Sequence, residues 1–293
     1  AVLSNYRDAL RARAELLAVY DARLFESVGV PVVPGVLSLA PPDLGQSFAR
    51  SRPVIDLISS ALPVTLLLNL IAFPIIYFIA IPCGMLAAVR RGQWQDVALG
   101  GLFVALWSVP TVWAGVMAVG YLANNDYLGW FPVGGLHHNA ASTFTFLPFY
   151  SDETGWQRGY LLDTLWHVCL PVLCLVYGGF AVLSKQTRAA MLENFNSDYV
   201  RTAKAKGVAA NDITFRHVFR NSLLPLITMF ATVFPATLAG SVVIERIFSV
   251  PGMGNLVIDA IYLRDREVLL ANTFIIAAVN LLALLLADIL YAL

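Results

Sequence analysis

The chain has 293 residues, 58% hydrophobic and 13% charged, with 19 Lys+Arg against 19 Asp+Glu and a mean hydropathy of +0.71. Water-soluble domains carry roughly 45–50% apolar and about 25% charged residues, so this composition excludes a soluble globular body, and its apolar content excludes a disordered one. Balanced charge removes the basic field a nucleic-acid binder needs, which leaves an all-α integral membrane protein.

In chain order, Ala1–Glu26 is charged and helix-forming, with no signal-peptide pattern. Residues 1–56 form a polar segment ahead of the apolar runs. Crossing the hydrocarbon layer takes about 20 apolar residues per helix. Five spans are expected, at about 57–89, 97–123, 163–183, 223–244 and 269–291. The first is long for one straight helix. Pro63, Pro74 and Pro82 within it predict a kink or an interfacial lead-in. Pro110, Pro235, Gly100, Gly101, Gly115 and Gly240 read as packing and kink sites. Cys83, Cys169 and Cys174 all fall in apolar stretches with no CxxC pair, and read as small buried hydrophobes.

Orientation follows the cations. The turn between the first two spans and the Ser184–Ser222 loop hold nine Lys and Arg; the opposite loops, Asn124–Asp163 and Glu245–Val268, hold four. The nine-cation side is expected to be cytoplasmic. Residues 1–56 then lie outside, which predicts a further span ahead of Ala1 or a removed signal. Six spans in the full product is the favoured version.

The cytoplasmic loop, residues 194–222, carries the most information. Its sequence predicts two short helices joined at Gly207, the first capped by Asp198 and the second by Asn211 or Asp212. Gly207 suits the left-handed position that ends a helix. The second helix presents Ile213, Phe215, Val218 and Phe219 on one face, and Leu224-Pro225 opens the next span. Such a compact basic knob either lies on anionic headgroups or docks on a cytoplasmic partner.

The tract Asp198-Tyr199-Val200-Arg201-Thr202-Ala203-Lys204-Ala205-Lys206-Gly207, with Arg216-His217-Val218-Phe219-Arg220-Asn221 and Leu224-Pro225 after it, resembles the EAA loop of binding-protein-dependent ABC importer permeases. Arg201 and Thr202 replace the general Glu and first Ala, as in the dipeptide/oligopeptide/nickel branch. Asp43–Ser47, Leu62–Leu66, Ile81–Gly84, Leu128–Pro132, Leu170–Val172 and Glu245–Gly254 resemble the same branch, in order, over residues 43–293.

The resemblance implies the type I ABC importer permease fold, with five spans in this chain and the family's first span ahead of it, in a bacterial inner membrane. It also implies a homologous second permease subunit, two ATP-binding subunits and an extracytoplasmic solute-binding protein, with membrane lipid around them. The expected cargo is a di- or oligopeptide, with nickel or another small solute as the alternative. No GxxxxGK[ST] loop occurs in the sequence, so ATP and Mg belong to the partner subunits and this chain is expected to bind no cofactor. The docking residues implied are Asp198, Tyr199, Arg201, Thr202, Ala203, Lys204, Lys206, Gly207, Asn211 and Asp212.

Polar residues within spans are costly unless hydrated or paired. Asn69, His167 and Asn280 are therefore candidates for a translocation path, with interhelical hydrogen bonding as the plainer reading of the asparagines. Asp163, His167 and Asp288 lie near span ends, where headgroup water suffices. Glu245, Phe248, Pro251, Gly252, Gly254 and Asp265 form a candidate external mouth; a capped surface helix explains the same residues. His137-His138 lacks a third ligand and is not expected to hold a metal.

Two other classes fit less well. A stand-alone secondary transporter would show inverted repeats or charges deep in several spans. An intramembrane enzyme would need a nucleophile with its base, or ligands such as HExxH. The sequence shows neither set.

Overall fold

The computed structural model describes residues 43–151 and 155–292; the helix-forming segment Ala1–Glu26 lies outside them. A short antiparallel hairpin, β1 (Gln46–Ser47) with β2 (Arg52–Pro53), leads directly into α1 (Val54–Val89). Helix α1 runs 36 residues without interruption, its three prolines included. At about 1.5 Å per residue it is roughly 54 Å long, well beyond the ~30 Å hydrocarbon layer.

The second expected span, 97–123, is not one helix. It divides into α2 (Trp94–Ser108) and α3 (Thr111–Met117), the latter continued by a π-helical turn at Ala118–Ala123, and the two parts meet at 82°. Val109 is extended, with ψ 115°, because the ring of Pro110 excludes the α region from the residue before it. The proline read as a kink is a full elbow.

The outer loop carries a 3₁₀ turn (Ala141–Thr143) and the hairpin β3 (Phe149–Ser151) with β4 (Gly155–Gln157). The expected span 163–183 sits inside α4 (Gly159–Phe195), whose 37 residues continue well into the expected cytoplasmic loop. Helix α5 (Asp198–Ala205) follows, then α6 (Ala210–Asp212), a π-helical stretch (Ile213–Phe219) and α7 (Arg220–Ile247). Leu224-Pro225 therefore lies inside α7 rather than opening it. Helices α8 (Met253–Tyr262) and α9 (Arg266–Ala292) complete the described chain. Helices α1, α4 and α9 are each long and apolar enough to cross a membrane, and the α2–α3 pair makes a fourth crossing if counted as one.

Three apolar clusters stack from one end of the molecule to the other. At the outer end Val54, Leu57 and Ile58 of α1 pack on Met253 and Leu256 of α8 and Val268 of α9. The middle joins α1, α2, α4 and α7 through Leu68, Ile76, Phe103, Phe180 and Leu226. At the inner end Ala88, Met191, Val200, Ala203, Ile213 and Val218 form a small closed core. Helices α1 and α4 approach closely because Gly84 leaves no room for a Cβ against Ser184 O and Thr187, the small-residue contact expected where backbones meet in a membrane. Outward, Leu281, Leu282, Leu284 and Leu285 of α9 are exposed, the surface a lipid-facing helix presents.

Candidate functional site

The inner end of the molecule holds the knob that the sequence singles out. Ser197, extended at ψ 156°, precedes α5; it makes no side-chain cap bond to the helix, and its hydroxyl donates back to Asn194 O at 2.6 Å. Asp198 is thus the first helical residue and not the cap. Its carboxylate still complements the helix dipole there. Ala209 precedes α6, so Asn211 and Asp212 lie within a helix and cap nothing.

The exit from α5 matches expectation in detail. Gly207 has φ +78°; its amide bonds Lys204 O at 3.0 Å and that of Val208 bonds Ala203 O at 3.2 Å. These two bonds are the Schellman pair that closes a helix through a left-handed residue. Around Gly207 the space is open within this chain, so its local requirement is the backbone conformation.

Helix α5 is fastened along one face. Val200 and Ala203 enter the inner core between the ends of α1 and α4 and the π-helical stretch. Asn194, near the end of α4, accepts the Tyr199 hydroxyl at 2.8 Å and donates to Ser222 Oγ of α7 at 3.1 Å, tying three helices together. The other face is free of the chain. Asp198 and Arg201 pair with each other at 3.2 Å, with side chains 94% and 75% exposed, and Thr202, Lys204, Lys206, Asn211 and Asp212 are exposed beside them. Phe215 joins that surface, 59% exposed, where an α-helical pattern would bury it. The π-helical stretch is the cause: its i→i+5 bonding puts Ile213 and Val218 on one face, and both are buried.

A second feature braces the knob. Arg188 of α4 donates from Nε and Nη2 to the two oxygens of Asp96, at 2.6 and 2.8 Å, and the Gly92 amide adds a third bond at 2.9 Å. The Arg188 guanidinium holds the Asp96 carboxyl down to about 2. Asp96 sits in the first turn of α2, ahead of the apolar run. Sequence reading passed over it, because nothing local in the sequence reveals a partner so far along the chain.

At the outer end the candidate mouth residues separate. Glu245 is fully buried. Its carboxylate accepts from Thr65 Oγ1 at 2.7 Å, Ser241 Oγ at 2.9 Å, and the amides of Gly254 and Asn255 at 2.7 and 3.2 Å. It caps α8 from outside that helix, the anion and amide arrangement that a helix N-terminus favours. Gly252 and Gly254 leave room for it: a Cβ on either would collide with its Oε2. Phe248 is buried and Pro251 exposed. Asp265 is buried ahead of α9 and accepts from the Ser47 hydroxyl and the Ala49 amide. Burial pushes its pKa up, but these hydrogen bonds outweigh that and hold it below the usual carboxylate value.

The path candidates are scattered. Asn69 is buried and donates to Thr65 O at 2.8 Å; His167 Nδ1 lies 2.8 Å from Asp163 O; Asn280 is half-buried on α9. None of them lines the cavity of about 550 Å³ beside the α2–α3 elbow, whose walls include Ile76, Tyr77, Trp107, Pro110, Tyr177 and Gly178. Among the described residues no three His, Cys, Asp or Glu side chains gather to hold a metal.

Residues 80–293 match the family of binding-protein-dependent transport system inner membrane components. The chain belongs to that family. It is 38% identical over 252 residues to the oligopeptide transport system permease protein AppB of Bacillus subtilis, covering 85% of this chain and 74% of the relative. It is 35% identical over 262 residues to the di/tripeptide transport system permease protein DppB of Pseudomonas aeruginosa, covering 87% and 76%. Among solved structures, the inward-facing MetNI methionine ABC transporter superposes with a TM-score of 0.58 at 14% identity, covering 80% of this chain and 95% of that one. That likeness gives the type I ABC importer permease fold. The protein is an inner-membrane permease subunit of an ABC importer.

Seen as a permease, the arrangement is mechanical. A knob with a bare polar face is fixed to the inner ends of α1, α4 and α7, and long helices connect those ends to the elbow cavity and the outer cap.

Proposed function

We propose that this permease carries di- or oligopeptides inward, paired with a second permease of similar fold, fed by an external solute-binding protein and driven by two ATP-hydrolysing subunits. The peptide cargo is suggested by relatives, an oligopeptide and a di/tripeptide transport permease, that share more than a third of its residues over most of its length. The observation that carries the coupling role is the two-sidedness of α5. Val200 and Ala203 are buried against α1, α4 and the π-helical stretch, while Asp198, Arg201, Lys204 and Lys206 face away from the chain.

In this reading the exposed face, with Gly207, Asn211, Asp212 and Phe215, sits on an ATP-hydrolysing subunit. Closure of those subunits displaces α5. Because packed cores do not deform continuously, the displacement passes as a rigid-body movement to α4 and α7. Arg201, Lys204 and Lys206 would meet acidic or polar groove walls, and charge across such a contact steers and registers it.

Reconstitution into liposomes tests the proposal. Uptake of a labelled tripeptide should require the ATP-hydrolysing subunits, the binding protein and ATP together. Peptide uptake by this chain in liposomes that lack those subunits would sink it.

A further inference from the structure

The elbow cavity lies along the middle of the long helices. Gly178 is near the midpoint of α4, Ile76 lies well inside α1, and Val109-Pro110 is the break in the second crossing. Its volume of about 550 Å³ falls within the range of small-molecule sites. None of its lining side chains carries a charge. Three hydroxyls line it: Tyr177 donates to Val109 O at 3.0 Å, Tyr77 to Leu226 O at 3.5 Å, and Thr111 adds a third at the start of α3. Beyond these the walls offer ring faces and aliphatic surface. A charged group entering would lose its hydration and find no counter-ion.

Two adjacent glycines make the point sharper. A Cβ on Gly179 would run into Ile76, so that glycine lets α1 and α4 pack. A Cβ on Gly178 would meet nothing within 4 Å. Glycine is the poorest helix former after proline, and at 178 no packing among the described residues requires it. What its missing side chain provides is depth in the cavity. The walls also belong to α4 and α7, the helices to which the knob is fastened.

We infer that the elbow cavity seats an uncharged, apolar side chain of the transported peptide, with Gly178 setting how large a side chain fits. The inference rests on the peptide reading above and adds to it the part of the cargo this chain touches.

The test is uptake of labelled triglycine and triphenylalanine by the producing cells, corrected for a strain lacking this chain, in wild type and in Gly178→Leu, Gly178→Ala and Trp107→Ala. Because the binding protein is the same throughout, the triphenylalanine-to-triglycine ratio isolates the permease. A pocket that loses several methylenes of depth should lower that ratio about tenfold in Gly178→Leu. Gly178→Ala should fall between it and wild type, and Trp107→Ala, which widens the cavity, should raise the ratio. If Gly178→Leu fails to reach the membrane, the other two variants decide. An unchanged ratio in the variants that insert, which is the result expected were the cavity filled by lipid or by the second permease, would overturn the inference while leaving the peptide reading intact. Absence of any peptide uptake by wild type would overturn both.

Discussion

Arg188 and Asp96, 92 residues apart in sequence, meet in a two-pronged ion pair at 2.6 and 2.8 Å that joins α4 to the first turn of α2. The Asp96 side chain is largely buried and that of Arg188 about one-third exposed. The pair fixes the turn between the first two crossings to the helix that carries the knob, so the elbow and the knob share one frame.

Removing one partner leaves the other charge poorly hydrated. Asp96→Ala should destabilise the permease by about 2–4 kcal/mol, somewhat below a wholly buried pair because Arg188 keeps some water. A double-mutant cycle with Arg188→Met, read by thermal unfolding in detergent, should return a coupling of at least about 1 kcal/mol. With Asp96 held down to about 2, its contribution is complete above the unfolded value near 4 and fades only as pH falls through about 2. The coupling measured at pH 5 should therefore equal that at pH 8.

The outer cap separates two glycines, one residue apart, by what they touch. At Gly254 a Cβ would overlap the backbone of Val242, whereas at Gly252 it would meet the side chains of Glu245 and Thr65. Side chains can give way and a packed helix backbone cannot. Gly254→Ala should therefore lower the amount of folded permease more than Gly252→Ala, measured by fluorescence-detected size exclusion. Glu245→Gln places an amide donor among N–H groups and should cost about 1–3 kcal/mol.

Gly207 allows backbone conformation to be told apart from close approach. At φ +78° an L side chain is strained by roughly 1–2 kcal/mol, with asparagine the best tolerated. If the docked partner comes close at this point, Gly207→Asn and Gly207→Leu should both reduce ATP-driven uptake while leaving insertion intact. Uptake preserved in Gly207→Asn alone would show that only the helix ending matters.

On the outer side, His137 acts as a neutral strut. The Thr164 hydroxyl donates to Tyr160 O at 2.9 Å, so it accepts from His137 Nδ1–H at 3.0 Å, and Nε2 is left to accept the Tyr160 hydroxyl at 2.8 Å. Burial lowers the His137 pKa, the Asp163 carboxylate opposes this, and His167 adds to the lowering; His138 and Tyr160 are the other titratable neighbours. The folded state thus resists the proton that the unfolded chain accepts. The loop should be held fully above about pH 6.5 and loosen as pH falls below it. Hydrogen exchange of residues 134–145, corrected for intrinsic rates, should show this at pH 5.5, and His137→Gln should remove the dependence.

The sequence by itself determined the membrane class and the knob. Each depends on signals that are local in the chain: apolar length, and Gly207 with its neighbours. It placed the elbow as well, since Pro110 acts on the residue before it. What it missed was decided by tertiary structure. Glu245 reads as an external contact until Thr65 and the α8 amides are seen around it. Phe215 reads as buried until i→i+5 bonding shifts the face. Asn194, Asp96 and the elbow cavity gain their roles from partners tens of residues away. A buried polar group must find its partners wherever the chain returns, and periodicity within one helix carries no record of where that is.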